Sequence, residues 1–235
     1  MKKLISIGIA CFGLIACAWA DSGDAERDRI KESINVVKDL LRSRGKGVPM
    51  QVLDGTKCVI VIPNAKKMGI ILGASYGRGV MSCRTGSDFK GEWSAPIMMA
   101  TESGSVGFQI GAQGTDYVIF VLNEKGAKAV MKSKIKLGAD ASIAAGPTGK
   151  TAEAATAGLM KAQMVSYSDS QGVFGGVSLS GASLRVDDDA NKNLYRKNVT
   201  PEQIVQGNVT MPDAAKPLVE ELTQAAAKSA EEKQK

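Results

Sequence analysis

GSDFKGEWSAPIMMATESGSVGFQIGAQGTDYVIFVL, running from Gly86 to Leu122, contains three apolar segments: Glu92–Ala100, Ser105–Ala112 and Asp116–Leu122. Each is bounded by Gly, Ser, Thr or Asp. Segments this short, rich in β-branched and aromatic residues and closed by turn formers, read as strands joined by tight connections. Glycines stand at positions 104, 107, 111 and 114. A strand glycine has no side chain to pack and costs backbone entropy, so it marks a bulge, a bend or a close backbone approach. The stretch therefore predicts a strongly curved antiparallel sheet.

Working outward, Lys57–Ile62 reads as a buried strand ending at Pro63, and Gly69–Gly73 and Gly77–Ser82 as a glycine-punctuated pair. Asp140–Ala145, Lys161–Ser168, Val173–Leu179 and Ala182–Val186 add four more strands, while Ala152–Ala157 fits a short helix or a small-residue strand equally. Asp24–Leu41 has helical spacing at Ile30, Ile34, Val37 and Leu41, with Asp24 as cap and Gly45 as stop. That helix suits either a membrane surface or the face of the sheet. Asn123–Lys134 reads as a second helix, on which Lys125, Lys128, Lys132 and Lys136 share one face if the helix persists. Thr200-Pro201-Glu202-Gln203 is a helix start, and the Ala/Glu/Lys-rich segment from Pro212 to Lys235 reads as a fraying helix. The fold class expected is α+β, one domain: a curved, mainly antiparallel sheet tending toward a barrel, with flanking helices. Its expected divisions are a leader over 1–20, a domain over 21–199 and a helical tail over 200–235.

Lys2 and Lys3 precede an apolar run, Leu4–Ala16, too short for a membrane span of about 20 residues. Ala18-Trp19-Ala20 before Asp21 suits ordinary leader cleavage, whereas Leu14-Ile15-Ala16-Cys17 suits a lipobox that would lipidate Cys17. Both readings export the chain, to the periplasm or the outer membrane. The formal charge of +6 falls to 6 − 2 = +4 without Lys2 and Lys3, since residues 1–20 contain no acid. This mild basic excess permits attraction to anionic lipid. Cys58 and Cys83 remain after ordinary cleavage, and a disulfide and two buried thiols are both open. There is no histidine, which removes the commonest general base and metal ligand.

An ordered series of short motifs resembles the SYLF lipid-binding domain family. It comprises Gly86-Ser87-Asp88, Trp93-Ser94-Ala95-Pro96, Gly104–Gly111, Thr115-Asp116, Leu137–Asp140 and Ala145–Gly149. Tyr167-Ser168, Gly172–Gly181 and Asn191–Tyr195 complete it. The series covers roughly Ala25 to Tyr195. In SYLF proteins a proline-ended strand precedes a Lys-containing turn, here Lys66-Lys67. The resemblance implies a lipid-binding protein, since eukaryotic SYLF domains bind phosphoinositides and some associate with actin. An exported bacterial relative would meet phosphatidylglycerol, cardiolipin or lipopolysaccharide instead.

Motifs for other chemistry fail individually. Gly146–Thr151 resembles the end of a phosphate loop, but the required earlier glycine is Ala144 and Pro147 stiffens the approach. Gly73–Gly79 lacks dinucleotide spacing. Asp187–Asn193 alternates oxygen donors like a calcium loop, yet has Lys192 for the glycine and Asn198 for the glutamate, so a polar turn is expected. Ser105 sits in no nucleophile elbow. Asp88 and Asp116 could pair as carboxylates but suit turn hydrogen bonds better, and Trp93 suits a core position better than a ligand platform. No catalytic residues, cofactor, metal site or nucleic-acid surface is expected. The expected lipid-binding residues are Arg42, Arg44, Lys46, Lys66, Lys67, Lys125, Lys128, Lys132 and Lys136. The expected partner is an anionic phospholipid surface; the alternative is a protein of the cell envelope.

Overall fold

A computed structural model describes residues 23–42, 48–69, 72–106, 113–147, 159, 161–169 and 174–232. The sheet starts with two long strands, β1 (Cys58–Gly69) and β2 (Leu72–Cys83), followed by β3 (Ile97–Val106) and β4 (Gln113–Val121). Five short strands complete it: β5 (Lys134–Lys136), β6 (Ile143–Ala145), β7 (Met164–Asp169), β8 (Phe174–Gly176) and β9 (Ser183–Val186). The order is β5-β9-β3-β2-β1-β4-β7-β6, with β8 paired to β7. All pairings are antiparallel except β6 with β7. The helices are α1 (Asp24–Arg42), α2 (Met50–Gly55), α3 (Glu124–Val130), α4 (Asp188–Tyr195), α5 (Pro201–Val205) and α6 (Lys216–Glu232). The result is one α+β domain with a curled, half-barrel sheet.

The curl has a local cause in β1. The strand does not end at Pro63; it continues to Gly69 and shifts register against both neighbours, between Val61 and Lys66 on one side and Ile62 and Ala65 on the other. Proline cannot donate to a ladder, so it sits where the ladder is interrupted. Asn64 adopts a positive φ of 49°, a conformation asparagine tolerates. On the facing strand, a Cβ at Gly79 would overlap the Val61 carbonyl and the Ile62 backbone. A glycine there lets β2 close onto the bend.

Alternation along β1 fills two cores. Cys58, Ile60 and Ile62 point into one, with Met81, Ile97, Met99, Ile119 and Val130. Val59 and Val61 point into the other, with Val80, Met98, Val118, Phe120 and helix residues Ile30, Ile34, Val37 and Leu40. The apolar stripe of α1 is therefore spent on the sheet, which settles its two sequence readings in favour of packing. The C-terminal helices are integral too: Ile204, Leu218 and Leu222 are buried. Thr200 forms the expected capping box with Gln203, and Pro201 takes the first helical turn.

Several motif residues turn out to be fasteners. Asn191 accepts the Met98 N–H at 2.8 Å through Oδ1 and donates from Nδ2 to the Met98 carbonyl at 3.5 Å, which ties α4 to β3. The Tyr195 hydroxyl donates to the Pro96 carbonyl at 2.6 Å. Ser94 Oγ accepts the Cys83 N–H, and Ser82 Oγ donates to the Ser94 carbonyl. The expected polar turn at 187–193 is instead helix α4, with Asp187 as its cap. The expected strand Glu92–Ala100 is displaced: β3 begins at Ile97 and runs to Val106, taking in the first two residues of the expected Ser105–Ala112, and Trp93 makes an isolated bridge to Arg84. Residues 107–112 and the Ala152–Ala157 segment lie outside the described residues.

Candidate functional site

The second predicted helix is shorter than its lysine pattern suggested. Asn123 caps it by accepting the Gly126 N–H at 2.9 Å, but α3 ends at Val130. Two turns carry Lys125 and Lys128; Lys132 lies in the following turn and Lys136 on edge strand β5. Chain reversal after α3 keeps Lys132 beside the first two. Lys125, Lys128 and Lys132 line one open concavity of about 480 Å³, with Glu124, Ala129, Asp140 and Gln163. Lys128 pairs with Glu124 at 3.5 Å, and both side chains are about half exposed. Such a contact is worth little in water, so the lysine stays available to another anion. Lys136 does not join the concavity; its backbone N–H donates to Asp140 at 2.6 Å, and its neighbour Lys134 pairs with Glu102 at 3.6 Å.

The other expected lipid-binding residues are dispersed. Lys66 is exposed on β1 and donates to Asn64 Oδ1 at 2.7 Å. It lies eight residues beyond Cys58, roughly 26 Å along the strand, whereas Cys58 faces Val121, where the chain leaves β4 for α3. Lys66 is thus at the opposite end of the sheet from the lysine concavity. Lys67 follows it in β1, with its side chain outside the described part. Arg44, Lys46 and Cys17 also lie outside the described residues.

Arg42 is the exposed last residue of α1. It stands at the mouth of a cleft of about 370 Å³ between α1, α2 and α6, lined also by Lys38, Glu221 and Lys228. Lys38 pairs with Glu221 at 3.4 Å. Lys38 lies one helical turn before Arg42 on α1, whereas Lys228 was not legible as its neighbour, because only packing of α6 on α1 brings it there. The α3 core is on one sheet face and the α1 core on the other. Both basic features therefore sit at the Cys58 end of the sheet, on opposite faces.

Cys58 and Cys83 are direct partners in the β1–β2 register and form a disulfide, with both residues fully buried. Asp88 pairs with Lys90 at 3.2 Å, and the Asp116 carboxylate accepts the Asn64 N–H at 2.7 Å, so the two aspartates serve separate turns. Burial, with Asp169 and Asp39 nearby, pushes the Asp116 carboxyl above its ordinary value despite that hydrogen bond. Gly146, the first glycine of the phosphate-loop resemblance, lies against the Tyr167 ring, which a Cβ would overlap. The Tyr167 hydroxyl donates to the Pro147 carbonyl at 3.3 Å. This glycine serves aromatic packing. Trp93 is a core residue, 5% exposed, with the Arg84 guanidinium 4.5 Å above its ring. Among the described residues there is no grouping of three acidic or cysteine side chains placed to hold a metal, and no helix long and apolar enough to cross a membrane.

A family model described as "Ysc84: Las17-binding protein actin regulator" matches residues 102–225. An SH3 domain-containing protein of Schizosaccharomyces pombe is 40% identical over 176 residues, covering 73% of this chain and 40% of the relative. Protein YSC84 of Saccharomyces cerevisiae is 33% identical over 177 residues, covering 73% and 36%. LAS seventeen-binding protein 3 of the same species is 34% identical over 175 residues, covering 73% and 37%. The chain thus spans about 40% or less of the length of these relatives. The family model matches more than half of the chain, and the relatives above are more than 30% identical over nearly three quarters of it: the chain belongs to the Ysc84, or SYLF, family.

Proposed function

We propose that this chain is an exported, non-enzymatic protein that binds anionic phospholipid head groups at the cell envelope, in the periplasm or at the outer membrane. The observation that carries the reading is the convergence of Lys125, Lys128 and Lys132 on one open concavity. Each cation near an anionic leaflet contributes about 1 kcal/mol, so three give on the order of 3 kcal/mol, and Glu124 and Asp140 offset part of this. The Cys58–Cys83 disulfide supports an oxidising compartment, in keeping with the leader and with either cleavage at Asp21 or lipidation of Cys17.

Co-sedimentation with vesicles tests the reading. Phosphatidylglycerol/phosphatidylcholine vesicles should bind the chain at low salt and release it at high salt, and phosphatidylcholine alone should not bind it. Changing Lys125, Lys128 and Lys132 together to Glu should abolish binding. Equal binding to neutral and anionic vesicles, or binding unchanged in the triple variant, would refute the assignment.

A second reading, an envelope protein partner, is favoured by the exposed Tyr76. The residue is 41% exposed and its hydroxyl accepts from Arg78 Nε at 2.7 Å. The relative named for binding LAS seventeen points the same way. Crosslinking to one protein without lipid recovery, lost on Tyr76→Ala, would establish it.

A further inference from the structure

Part of the sheet face that carries α1 stays uncovered. The helix packs over Val61, Val80, Met98 and Val118. Further along the same strands, the register sets one row across the sheet: Lys66 of β1, Tyr76 of β2, Glu102 of β3, Ser183 of β9 and Lys136 of β5. Arg78, Ala100, Arg185 and Lys134 form a second row beside it. Strand alternation puts both rows on the α1 face. Five strands about 4.8 Å apart make the first row roughly 19 Å long. Among the described residues, Tyr76 is the only large hydrophobic side chain that is exposed. Five cations surround it: Lys66, Arg78, Lys134, Lys136 and Arg185. Two acids oppose them. Glu102 is shared by Lys134 at 3.6 Å and Arg185 at 3.3 Å, and Asp187 is buried.

The tyrosine is held in place. Arg78 Nε donates to its hydroxyl at 2.7 Å and stands 3.2 Å from Asp187 Oδ2, and Asp187 is fixed as the cap of α4. An anchored ring has little rotamer freedom left to lose on binding. Among the described residues, neither Nη of Arg78 has a hydrogen-bond partner. Its side chain is 44% exposed, and an arginine fork matches a carboxylate. The floor beside the ring is low: Ala74 is exposed, and a Cβ at Gly104 would meet nothing within 4 Å. Tyrosine and arginine are the residues on which interface energy concentrates. We propose that this face docks an acidic segment of a protein partner. One carboxylate sits in the Arg78 fork, an apolar side chain lies over the Tyr76 ring, and further carboxylates meet Lys66 on one side and Lys134 and Lys136 on the other. The proposal rests on the protein-partner reading of Tyr76 above and adds the partner's chemistry; it does not use the α3 lysines.

The probe is a fluorescein-labelled octapeptide, Glu-Glu-Leu-Glu-Glu-Leu-Glu-Glu, titrated with the full chain and followed by anisotropy. It should bind saturably at one equivalent in low salt, and its counterpart with Gln for every Glu should not bind. Tyr76→Ala, which alters no charge, should weaken binding by about fivefold or more. Lys134→Gln with Lys136→Gln, both exposed on an edge strand, should do the same. Lys125, Lys128 and Lys132 changed together to Gln remove more charge, but from the other face, so screening should hold their effect under about twofold. The far-UV spectrum should be unchanged throughout. No binding, or binding lost in the α3 variant and kept in Tyr76→Ala, overturns the proposal. Dextran sulfate bound more tightly than the peptide through the same residues would make the row a glycan site and also overturns it. A crosslinked envelope protein lost on Tyr76→Ala but kept in the Lys134/Lys136 variant removes the acidic segment and leaves the Tyr76 reading standing. Peptide binding with no crosslinked protein does the reverse.

Discussion

Removing the cross-link between Cys58 and Cys83 should cost this fold a large part of its stability. The two residues are opposed in register at one end of the hairpin that forms the middle of the sheet, and they are 25 residues apart. Closing a loop of about 25 residues removes about 3.5 kcal/mol of chain entropy from the denatured state. Native domains have about 5–15 kcal/mol in total, so the bond accounts for a quarter or more. At about 2–4 °C per kcal/mol for a domain of this size, reduction should lower Tm by about 7–14 °C. The assay is urea denaturation of the oxidised chain, the chain unfolded and refolded in reductant, and the Cys58→Ala/Cys83→Ala double variant. The m-value should rise without the bond, since the denatured chain expands. Both sulfurs are buried, so reductant should act on the native protein only as fast as the hairpin opens. A loss under about 1 kcal/mol on reduction would refute the reasoning, because the denatured hairpin would then be closed without the bond. A loss near the expected size would also mean that the fold is much weaker in a reducing compartment.

Two further outcomes follow from the same structure. Gly79→Val should destabilise the protein by several kcal/mol, because its Cβ meets the Val61 carbonyl and Ile62 backbone rather than a movable side chain; a thermal midpoint within 2 °C of wild type, roughly 1 kcal/mol or less, would show that β1 can give way there. Asp116→Asn keeps an acceptor for the Asn64 N–H but removes a charge whose protonated form the fold favours. The raised folded pKa means that the stability this group contributes is present at low pH and lost as pH rises through that value. The variant should therefore match or exceed wild type at pH 7, with the gap closing below the unfolded aspartate pKa of about 3.9; urea midpoints at the two pH values check this, and a wild type more stable at pH 7 would contradict it.

Local chemistry settled much of this protein in advance. The unbroken apolar run Lys57–Ile62 read as a buried strand, and the short glycine-bounded segments of the central stretch as a curved sheet, because strand propensity and turn chemistry act within a few residues. Helix starts at Asn123 and Thr200 were legible for the same reason: a cap is a bond to the next turn. Where β1 ended was not, since Pro63 terminates a strand only if its ladder partners need an N–H there, and the bulge removes that need. Nor was the end of α3, where the chain reverses into β5 and leaves Lys136 on a sheet edge. The grouping of Lys125, Lys128 and Lys132 was legible from their spacing, whereas Lys136 was expected with them and is not there. Lys66 is carried to the other end of β1, and Arg42, one helical turn from Lys38 on α1, acquires Lys228 only because α6 lies on α1. Sequence determines which side chains exist and which local bonds they make; which charges of distant segments share a surface, as Lys38 and Glu221 do, depends on contacts that only the packed fold decides.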